Sequence, residues 1–220
     1  MIRTFITATG TGIGKTLVTS VLTRQLRAQG KTVRALKPVI SGFTDKTLAE
    51  SDTAELLRAM DRPVTPETIA EISPWRFEAP LSPDMAAIRE GRSIDFLKLI
   101  EFCNAPVQAD HILIEGVGGA FVPLNENHLV ADWIAELNIP ALLVCGSYLG
   151  TLSHTIATLE ALNNRRVAVT GIIISQSPEG PVPLSEVQAT LGRFVGAAEI
   201  VCLPRVEEWN TAPDLTALVC

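Results

Sequence analysis

Residues 5–16 decide the fold of this chain, and they read Phe5-Ile6-Thr7-Ala8-Thr9-Gly10-Thr11-Gly12-Ile13-Gly14-Lys15-Thr16. An apolar run leads into a glycine-rich turn, and Gly-Lys-Thr then opens a helical pattern. The small residues of such a turn let backbone N–H groups surround phosphate oxygens, and the positive end of the helix dipole adds to the attraction. A lysine in this position contacts the β and γ phosphates, and the next threonine hydroxyl binds Mg²⁺. The stretch therefore predicts a strand, a phosphate-binding loop and a helix.

A glycine-rich turn of this kind has two alternatives to phosphate binding. The loop is a variant of the strict pattern, because Thr9 stands where that pattern has glycine. A dinucleotide-binding turn fits less well, since the glycines from Gly10 follow Gly-x-Gly-x-Gly and the second predicted strand ends near Lys37 instead of an acidic residue. A purely structural glycine turn is the third interpretation. Gly-Lys-Thr between a strand and a helix favours phosphate binding.

Composition narrows the class of protein. The chain has 220 residues and a formal net charge of −6, with no run of basic residues, so we expect one domain over 1–220 that binds neither nucleic acid nor a membrane. A strand is predicted from Ile2 onward, so we expect no leader peptide and a cytoplasmic location. The cysteines, at positions 103, 145, 202 and 220, lack C-x-x-C spacing, so a zinc site is not expected.

Apolar, β-branched runs alternate with helical patterns along the chain. This is typical of an α/β fold with a mostly parallel sheet and helices on both faces. The predicted strands are Ile2–Thr7, Thr32–Leu36, His111–Glu115, Ala141–Cys145, Val169–Ile174 and Glu199–Leu203. Helices are predicted from Lys15 to a stop at Gly30, over Leu48–Met60, over Ser93–Cys103 and around Ile156–Leu162. The segment Pro74–Asp84 is expected to be an ordered loop that crosses the top of the sheet.

Charged residues follow two of the predicted strands. Ligands of open α/β sheets bind beyond the carboxyl ends of the strands, so we expect Lys37, with Ser41 in the same loop, on the edge that carries the phosphate loop. Glu115 ends another buried strand and suits the acidic residue that supports Mg²⁺, although a helix-cap or turn carboxylate is the alternative. Asp52 is either a second carboxylate for the metal or the N-cap of the next helix.

Seven stretches of the chain resemble the dethiobiotin synthetase family, the ATP-dependent ligases of biotin biosynthesis, in the family's order. They are residues 9–16, 37–42, 51–52, 79–83, 115–119, 131–133 and 149–154. The Lys-Pro-Val-Ile-Ser-Gly and Glu-Gly-Val-Gly-Gly stretches are far more specific than the phosphate loop. The resemblance implies a P-loop NTPase fold, a homodimer, and the use of ATP and Mg²⁺. It also implies conversion of 7,8-diaminononanoate, CO₂ and ATP into dethiobiotin, ADP and phosphate, through a carbamate and a carbamic–phosphoric anhydride.

The resemblance also implies roles for individual residues. The catalytic residues are Lys37, Lys15 and Thr11, and the metal ligands are Thr16, Asp52 and Glu115. Nucleotide contacts fall on Gly12, Ile13, Gly14, Lys15, Thr16, Leu17, Glu115, Gly116, Val117, Gly118, Ser175, Gln176, Pro204, Arg205 and Val206. Substrate contacts fall on Thr11, Lys37, Ser41, Gly118, Gly119, Leu149, Gly150 and Ser153, the last three from a helix N-terminus of the partner chain; an ordinary capped helix start is the alternative for these three.

The chain departs from the family at three places. Gly12 stands where an acidic residue is common, Ser153 where an Asn is familiar, and Ser175-Gln176 where several members have Asn-Asp. We therefore expect looser recognition of the nucleotide base, with the 204–207 loop completing the base pocket.

Two other ATP-using classes share a loop of this kind. The main alternative function is a regulatory P-loop ATPase of the partition or septum-site type, whose members carry a signature lysine where this chain has Gly10. A nucleotide kinase is less favoured, because no arginine-rich lid follows the core. The three histidines, at positions 111, 128 and 154, lack metal-ligand spacing and are interpreted as structural or surface residues.

Overall fold

The computed structural model describes residues 1–196, 198–206 and 208–219, so Ala197, Glu207 and Cys220 lie outside the described residues. The strands are β1 Ile2–Ala8, β2 Val33–Leu36, β3 Val39–Ser41, β4 Trp75–Phe77, β5 His111–Glu115, β6 Ala141–Cys145, β7 Val169–Ser175 and β8 Glu199–Leu203. The α-helices are α1 Lys15–Ala28, α2 Asp52–Ala59, α3 Pro66–Ile72, α4 Pro83–Arg89, α5 Phe96–Asn104, α6 Val130–Leu137, α7 Thr151–Asn164 and α8 Leu184–Leu191. Short 3₁₀ helices cover Asp45–Glu50, Trp209–Thr211 and Thr216–Val219.

The main sheet has six parallel strands in the order β2-β5-β1-β6-β7-β8. The chain moves to one side from β1 to β2 and to the other side from β6 through β7 to β8. Right-handed crossovers that run in opposite directions place their helices on opposite faces, so α1 covers one face, and α7 and α8 cover the other. The predicted mostly parallel α/β sheet with helices on both faces is confirmed.

The register of the central strands determines which residues share the carboxyl edge. Ile6 of β1 lies beside Glu115 of β5, and Leu36 of β2 lies beside Ile114. Lys37 therefore follows β2 level with Glu115, and the loop after β1 begins at the same edge. Every residue of β5 and β6 is buried, as expected for strands covered on both faces.

Two predicted helices begin later in the structure than in the sequence analysis. The helix predicted from Leu48 begins at Asp52, because the Ser51 hydroxyl accepts a hydrogen bond from the Ala54 N–H at 3.2 Å and caps it. The helix predicted from Ser93 begins at Phe96, since the Asp95 carboxylate accepts a hydrogen bond from the Lys98 N–H at 3.2 Å. The cap that was one alternative for Asp52 is therefore supplied by its neighbour.

The prediction of an ordered loop over Pro74–Asp84 is wrong at both ends of that segment. Trp75–Phe77 pairs in parallel with Val39–Ser41 in a second, two-stranded sheet, and α4 begins at Pro83. A three-residue strand is too short for apolar alternation to reveal it, and its partner lies far away in the sequence. Within the described residues, no helix is long and apolar enough to cross a membrane.

Candidate active site at the carboxyl edge of the sheet

The phosphate loop depends on two glycines with left-handed backbone angles. Gly12 has φ of 70° and Gly14 has φ of 104°, a region that disfavours other residues. Gly14 is also the N-cap of α1, so no side chain caps the first turn of that helix. A Cβ atom on Gly14 would lie 2.6 Å from the Ser175 hydroxyl. The first turn of α1 therefore presents backbone N–H groups that suit an anion.

Lys15 is the first residue of α1, and its side chain extends back across the phosphate loop. Its side chain is largely buried, and its ammonium donates to the carbonyl of Gly118 at 2.6 Å and to that of Gly10 at 3.4 Å. Burial, together with the nearby charge of Lys37, lowers the pKa of Lys15 to about 8. The two carbonyl oxygens stabilise the charged form of Lys15 less than an anion would. An anion bound in the loop would therefore favour that charged form.

Glu115 lies at the centre of a buried polar cluster and has no exposed surface. Its Oε1 atom accepts a hydrogen bond from the Lys37 ammonium at 2.5 Å and another from the Thr16 hydroxyl at 2.8 Å. Lys37, which is 3% exposed, also donates to the Gly116 carbonyl at 3.0 Å and forms an ion pair with Asp52 at 3.3 Å. One lysine is therefore held between two carboxylates.

The pKa values of Lys37 and Asp52 both shift toward the charged forms. Burial by itself lowers the pKa of Lys37, but the charges of Glu115 and Asp52 outweigh it and raise that pKa above its usual value. Burial by itself raises the pKa of Asp52, but the positive charge of Lys37 and weaker contributions from neighbouring groups together lower it by more, so the net shift of that pKa is downward. Both side chains are therefore charged near neutral pH.

The donor atoms of this cluster fit Mg²⁺. The second carboxylate oxygen of Glu115, Oε2, is buried and has no hydrogen-bond partner in the part of the chain that the structure describes. The Thr16 hydroxyl bonds to the other oxygen, Oε1, and the half-exposed Asp52 carboxylate pairs with the same lysine as Glu115. Among the described residues, no group of three or more His, Cys, Asp or Glu side chains is placed to hold a metal ion. Mg²⁺ commonly binds through one or two carboxylates together with substrate phosphates, so this donor set matches its needs.

A cleft of about 520 Å³ opens over the cluster. The predicted site residues that line it are Thr11, Gly12, Ile13, Gly14, Lys15, Thr16, Lys37, Ser41, Asp52, Val117 and Gly118. Sequence reasoning assigned no role to the rest of its wall, which consists of Ile40, residues 80–83 and Val122. Ile40 and residues 80–83 lie within two of the stretches that resemble the family, 37–42 and 79–83, whereas no sequence pattern pointed to Val122.

A second cleft, of about 230 Å³, lies on the other side of the phosphate loop. The two clefts share Gly12, Ile13 and Gly14. The second is lined also by Leu17, Ser175, Gln176, Ser177, Pro178, Pro204, Arg205 and Val206. The residues predicted to surround the base therefore lie together beside the phosphate loop.

Six of the predicted substrate or nucleotide residues line neither cleft, namely Glu115, Gly116, Gly119, Leu149, Gly150 and Ser153. A Cβ atom on Gly119 would lie 3.1 Å from the backbone of Gly10, and one on Gly116 would lie 2.9 Å from the Phe5 ring, so both glycines permit close backbone packing. Leu149 is 87% exposed, and Ser153 is also exposed, at the start of α7. Gly150, between them, has φ of 98° and lines neither cleft.

The three histidines also lie away from both clefts. His111 begins β5 beside Ile2, at the opposite edge of the sheet. The His128 ring stacks on Phe96 with centroids 3.9 Å apart, and His154 is within 2.9 Å of the Tyr148 hydroxyl.

The comparisons with known proteins agree with this architecture. A family model described as an AAA domain matches residues 3–212. The chain is 49% identical to an ATP-dependent dethiobiotin synthetase from Acidiphilium cryptum, over 97% of each protein. It is 46% identical to one from Methylobacterium nodulans, over 91% of this chain and 92% of that protein.

Solved structures show likeness of fold alone. The MinC:MinD cell division complex of Aquifex aeolicus matches with a TM-score of 0.57 and 17% identity, over 94% of this chain and 83% of that one. A ParA family ATPase from Chlorobium tepidum matches with a TM-score of 0.56 and 15% identity, over 94% of this chain and 86% of that one. The identities of the sequence relatives are far higher, and the chain belongs to the dethiobiotin synthetase family within the AAA domain proteins.

Proposed function

We propose that this chain is an ATP-dependent dethiobiotin synthetase, with residues 1–220 acting as a single domain. It would convert 7,8-diaminononanoate, CO₂ and ATP into dethiobiotin, ADP and phosphate. The observation that carries the proposal is Lys37, a second buried lysine that lines the same cleft as Lys15 and is held by Glu115. Two relatives that are named for this activity support the proposal, because the chain matches them over nearly their full lengths. The use of ATP makes the cytoplasm the expected location.

The nucleotide is proposed to lie across the phosphate loop. Its phosphates would bind the N–H groups of residues 12–17 and the Lys15 ammonium, and its base would enter the cleft beside Ser175 and Gln176. The backbone of Val117 and Gly118, which line the same cleft as Lys15, would also contact the nucleotide, with Gly116 behind them. Thr16, Asp52 and Glu115 would hold Mg²⁺, which neutralises phosphate charge when it is bound.

The chemistry requires two anions to meet. An amine of the substrate adds to CO₂ and gives a carbamate with loss of a proton, and a carbamate oxygen then attacks the γ-phosphorus of ATP while ADP leaves. Lys37 and Lys15 supply positive charge at that point, which offsets the repulsion between carbamate and phosphate. The Thr11 and Ser41 hydroxyls line the same cleft and can orient the amine end of the substrate.

Ring closure then completes the reaction. The second amine attacks the carbonyl of the carbamic–phosphoric anhydride, a urea ring forms and phosphate leaves. Neither step needs a protein nucleophile, so positioning of the reactants supplies much of the rate. The apolar wall formed by Ile40, Leu81 and Val122 suits the alkyl chain of a diamino acid.

A homodimer is part of the proposal. Leu149, Gly150 and Ser153 lie outside the clefts of their own chain, which supports a role for them at the site of a partner chain. The N-terminus of α7 has no side-chain cap, so its N–H groups suit the substrate carboxylate.

The rate of ADP release tests the proposed function. A ligase should release ADP only when 7,8-diaminononanoate and bicarbonate are both present. A regulatory ATPase of the partition type should hydrolyse ATP at a rate that neither compound changes, and that result would reject the ligase.

A further inference from the structure

Two buried hydroxyl groups lie directly behind the Lys37–Asp52 ion pair. Thr53 follows Asp52 in the first turn of α2, Ser73 directly follows α3, and both are fully buried. The Thr53 and Ser73 hydroxyl oxygens are 2.7 Å apart, and the Ser73 hydroxyl donates to the carbonyl of Lys37 at 2.5 Å.

The direction of these hydrogen bonds follows from proton counting. A serine hydroxyl has one proton, and Ser73 uses it on the Lys37 carbonyl. Thr53 must therefore donate to Ser73, so the chain of bonds runs from Thr53 through Ser73 to Lys37. This hydroxyl relay connects the helix that carries Asp52 to the backbone of the lysine that Asp52 pairs with.

The relay is one of two contacts that fix the Lys37 backbone to α3. The Lys37 N–H donates to the Ile72 carbonyl at 3.0 Å, and its carbonyl accepts from Ser73. Ser73 is itself fixed, because its N–H donates to the Ile69 carbonyl at 2.8 Å. Burying two hydroxyls in an apolar surrounding is costly unless both are bonded, so the relay favours this single arrangement.

We propose that Thr53 and Ser73 are positioning residues, which hold the Lys37 ammonium in register with Asp52 and Glu115 without touching substrate. The kinetic part of this inference rests on the proposed function, since it assumes that Lys37 acts on the reacting atoms. The structural part of the inference, that the two hydroxyls hold Lys37 in place, does not rest on the proposed function.

Formaldehyde and cyanoborohydride reductively methylate lysine side chains. The rate of this reaction at Lys37 measures how firmly the Lys37 ammonium is held. Mass spectrometry of its peptide would be compared with that of Lys31, which is exposed and serves as an internal reference. Thr53→Val and Ser73→Ala should raise the relative methylation rate of Lys37 about fivefold, the effect of losing one hydrogen bond. Thr53→Ser keeps the hydroxyl and should restore the wild-type rate.

The matched control is Thr23→Val. Thr23 is fully buried in α1 and donates to the Thr19 carbonyl at 2.7 Å, away from both clefts. It should lower the melting temperature without changing the methylation of Lys37. If Ser73→Ala does not fold, Thr53→Val decides the question, because it keeps the side-chain volume.

Kinetics give the second readout. Thr53→Val and Ser73→Ala should lower kcat about tenfold or more, since small displacements of a reacting group are costly, while the KM for ATP stays within about twofold. Unchanged methylation of Lys37 in both variants would overturn the relay. Absence of any ligase turnover by the wild-type protein would instead reject the proposed function, and the methylation result would still decide the relay.

Discussion

The Lys37 ammonium lies 2.5 Å from Oε1 of Glu115, and this pair follows from the register of two neighbouring strands. Leu36 lies beside Ile114, so the next residue of each strand meets at the carboxyl edge. Both side chains are almost completely buried. Each charge therefore depends on the other, because an isolated charge in such a place is strongly unfavourable.

Replacing Lys37 by methionine should destabilise the fold. The change keeps the side-chain volume but leaves Glu115 buried without its main partner, so the free energy of unfolding should fall by about 3–5 kcal/mol. Urea denaturation measures it. The double variant Lys37→Met/Glu115→Gln should recover much of that loss. As a control, Lys98→Met removes an exposed ammonium paired with Asp95 at 3.5 Å, and it should cost less than about 1 kcal/mol. An equal, small effect of both single changes would show that the buried pair is not coupled as described.

Added Mg²⁺ should stabilise Lys37→Met more than it stabilises the wild-type protein. Without the ammonium, Glu115 and Asp52 have uncompensated charge that a divalent cation can neutralise. Thermal melting with increasing MgCl₂ measures the effect, and Lys37→Met/Glu115→Gln should respond much less. A melting temperature that MgCl₂ shifts equally in all three proteins would argue against metal binding at these carboxylates.

Replacing Lys15 should weaken ATP binding, whereas replacing Lys37 should slow turnover. Lys15→Ala removes the ammonium above the phosphate loop, so the Kd for ATP should rise about tenfold to a hundredfold, as for loss of a charged hydrogen bond. Lys37→Met should change that Kd little and lower kcat by about 10²–10³, typical for an electrostatic stabiliser. Calorimetric titration with ATP and steady-state kinetics give the two quantities. Near-normal turnover of Lys37→Met would remove Lys37 from the catalytic residues.

The nucleotide base should be recognised loosely. The Gln176 carboxamide oxygen accepts a hydrogen bond from the Arg205 N–H at 3.0 Å, so this side chain fixes the loop that borders the second cleft. We expect kcat/KM for ATP to exceed that for CTP, GTP or UTP by less than about a hundredfold. Gln176→Ala should lower all four values by similar factors. A larger preference for ATP, lost in Gln176→Ala, would identify a dedicated base contact.

The active species should be a dimer. Leu149 is exposed at the start of α7, away from the clefts of its own chain, and a composite site requires a partner to bring it there. Sedimentation velocity over a dilution series should show dissociation at the concentrations where specific activity falls. A monomer with full specific activity contradicts a site shared between chains.

Long buried strands and the loop that follows β1 made most of the architecture predictable. Glu115 and Lys37 were predictable because each lies at the carboxyl end of a predicted strand, which fixes its place at the carboxyl edge of the sheet. The pairing of Trp75–Phe77 with Val39–Ser41 was missed, because short strands carry no periodic signal. The Thr53–Ser73 contact was missed for another reason, since single hydroxyls distant in sequence reveal their pairing only in three dimensions.

The fate of labelled bicarbonate tests the central claim most directly. The protein would be incubated with ¹³C-bicarbonate, 7,8-diaminononanoate and MgATP, and the products would be quantified by mass spectrometry. The account predicts dethiobiotin with ¹³C in its urea carbonyl, one ADP for each molecule formed, and a rate lowered by about 10²–10³ in Lys37→Met. ADP formed at the same rate without the diamine, and with no labelled product, would contradict it.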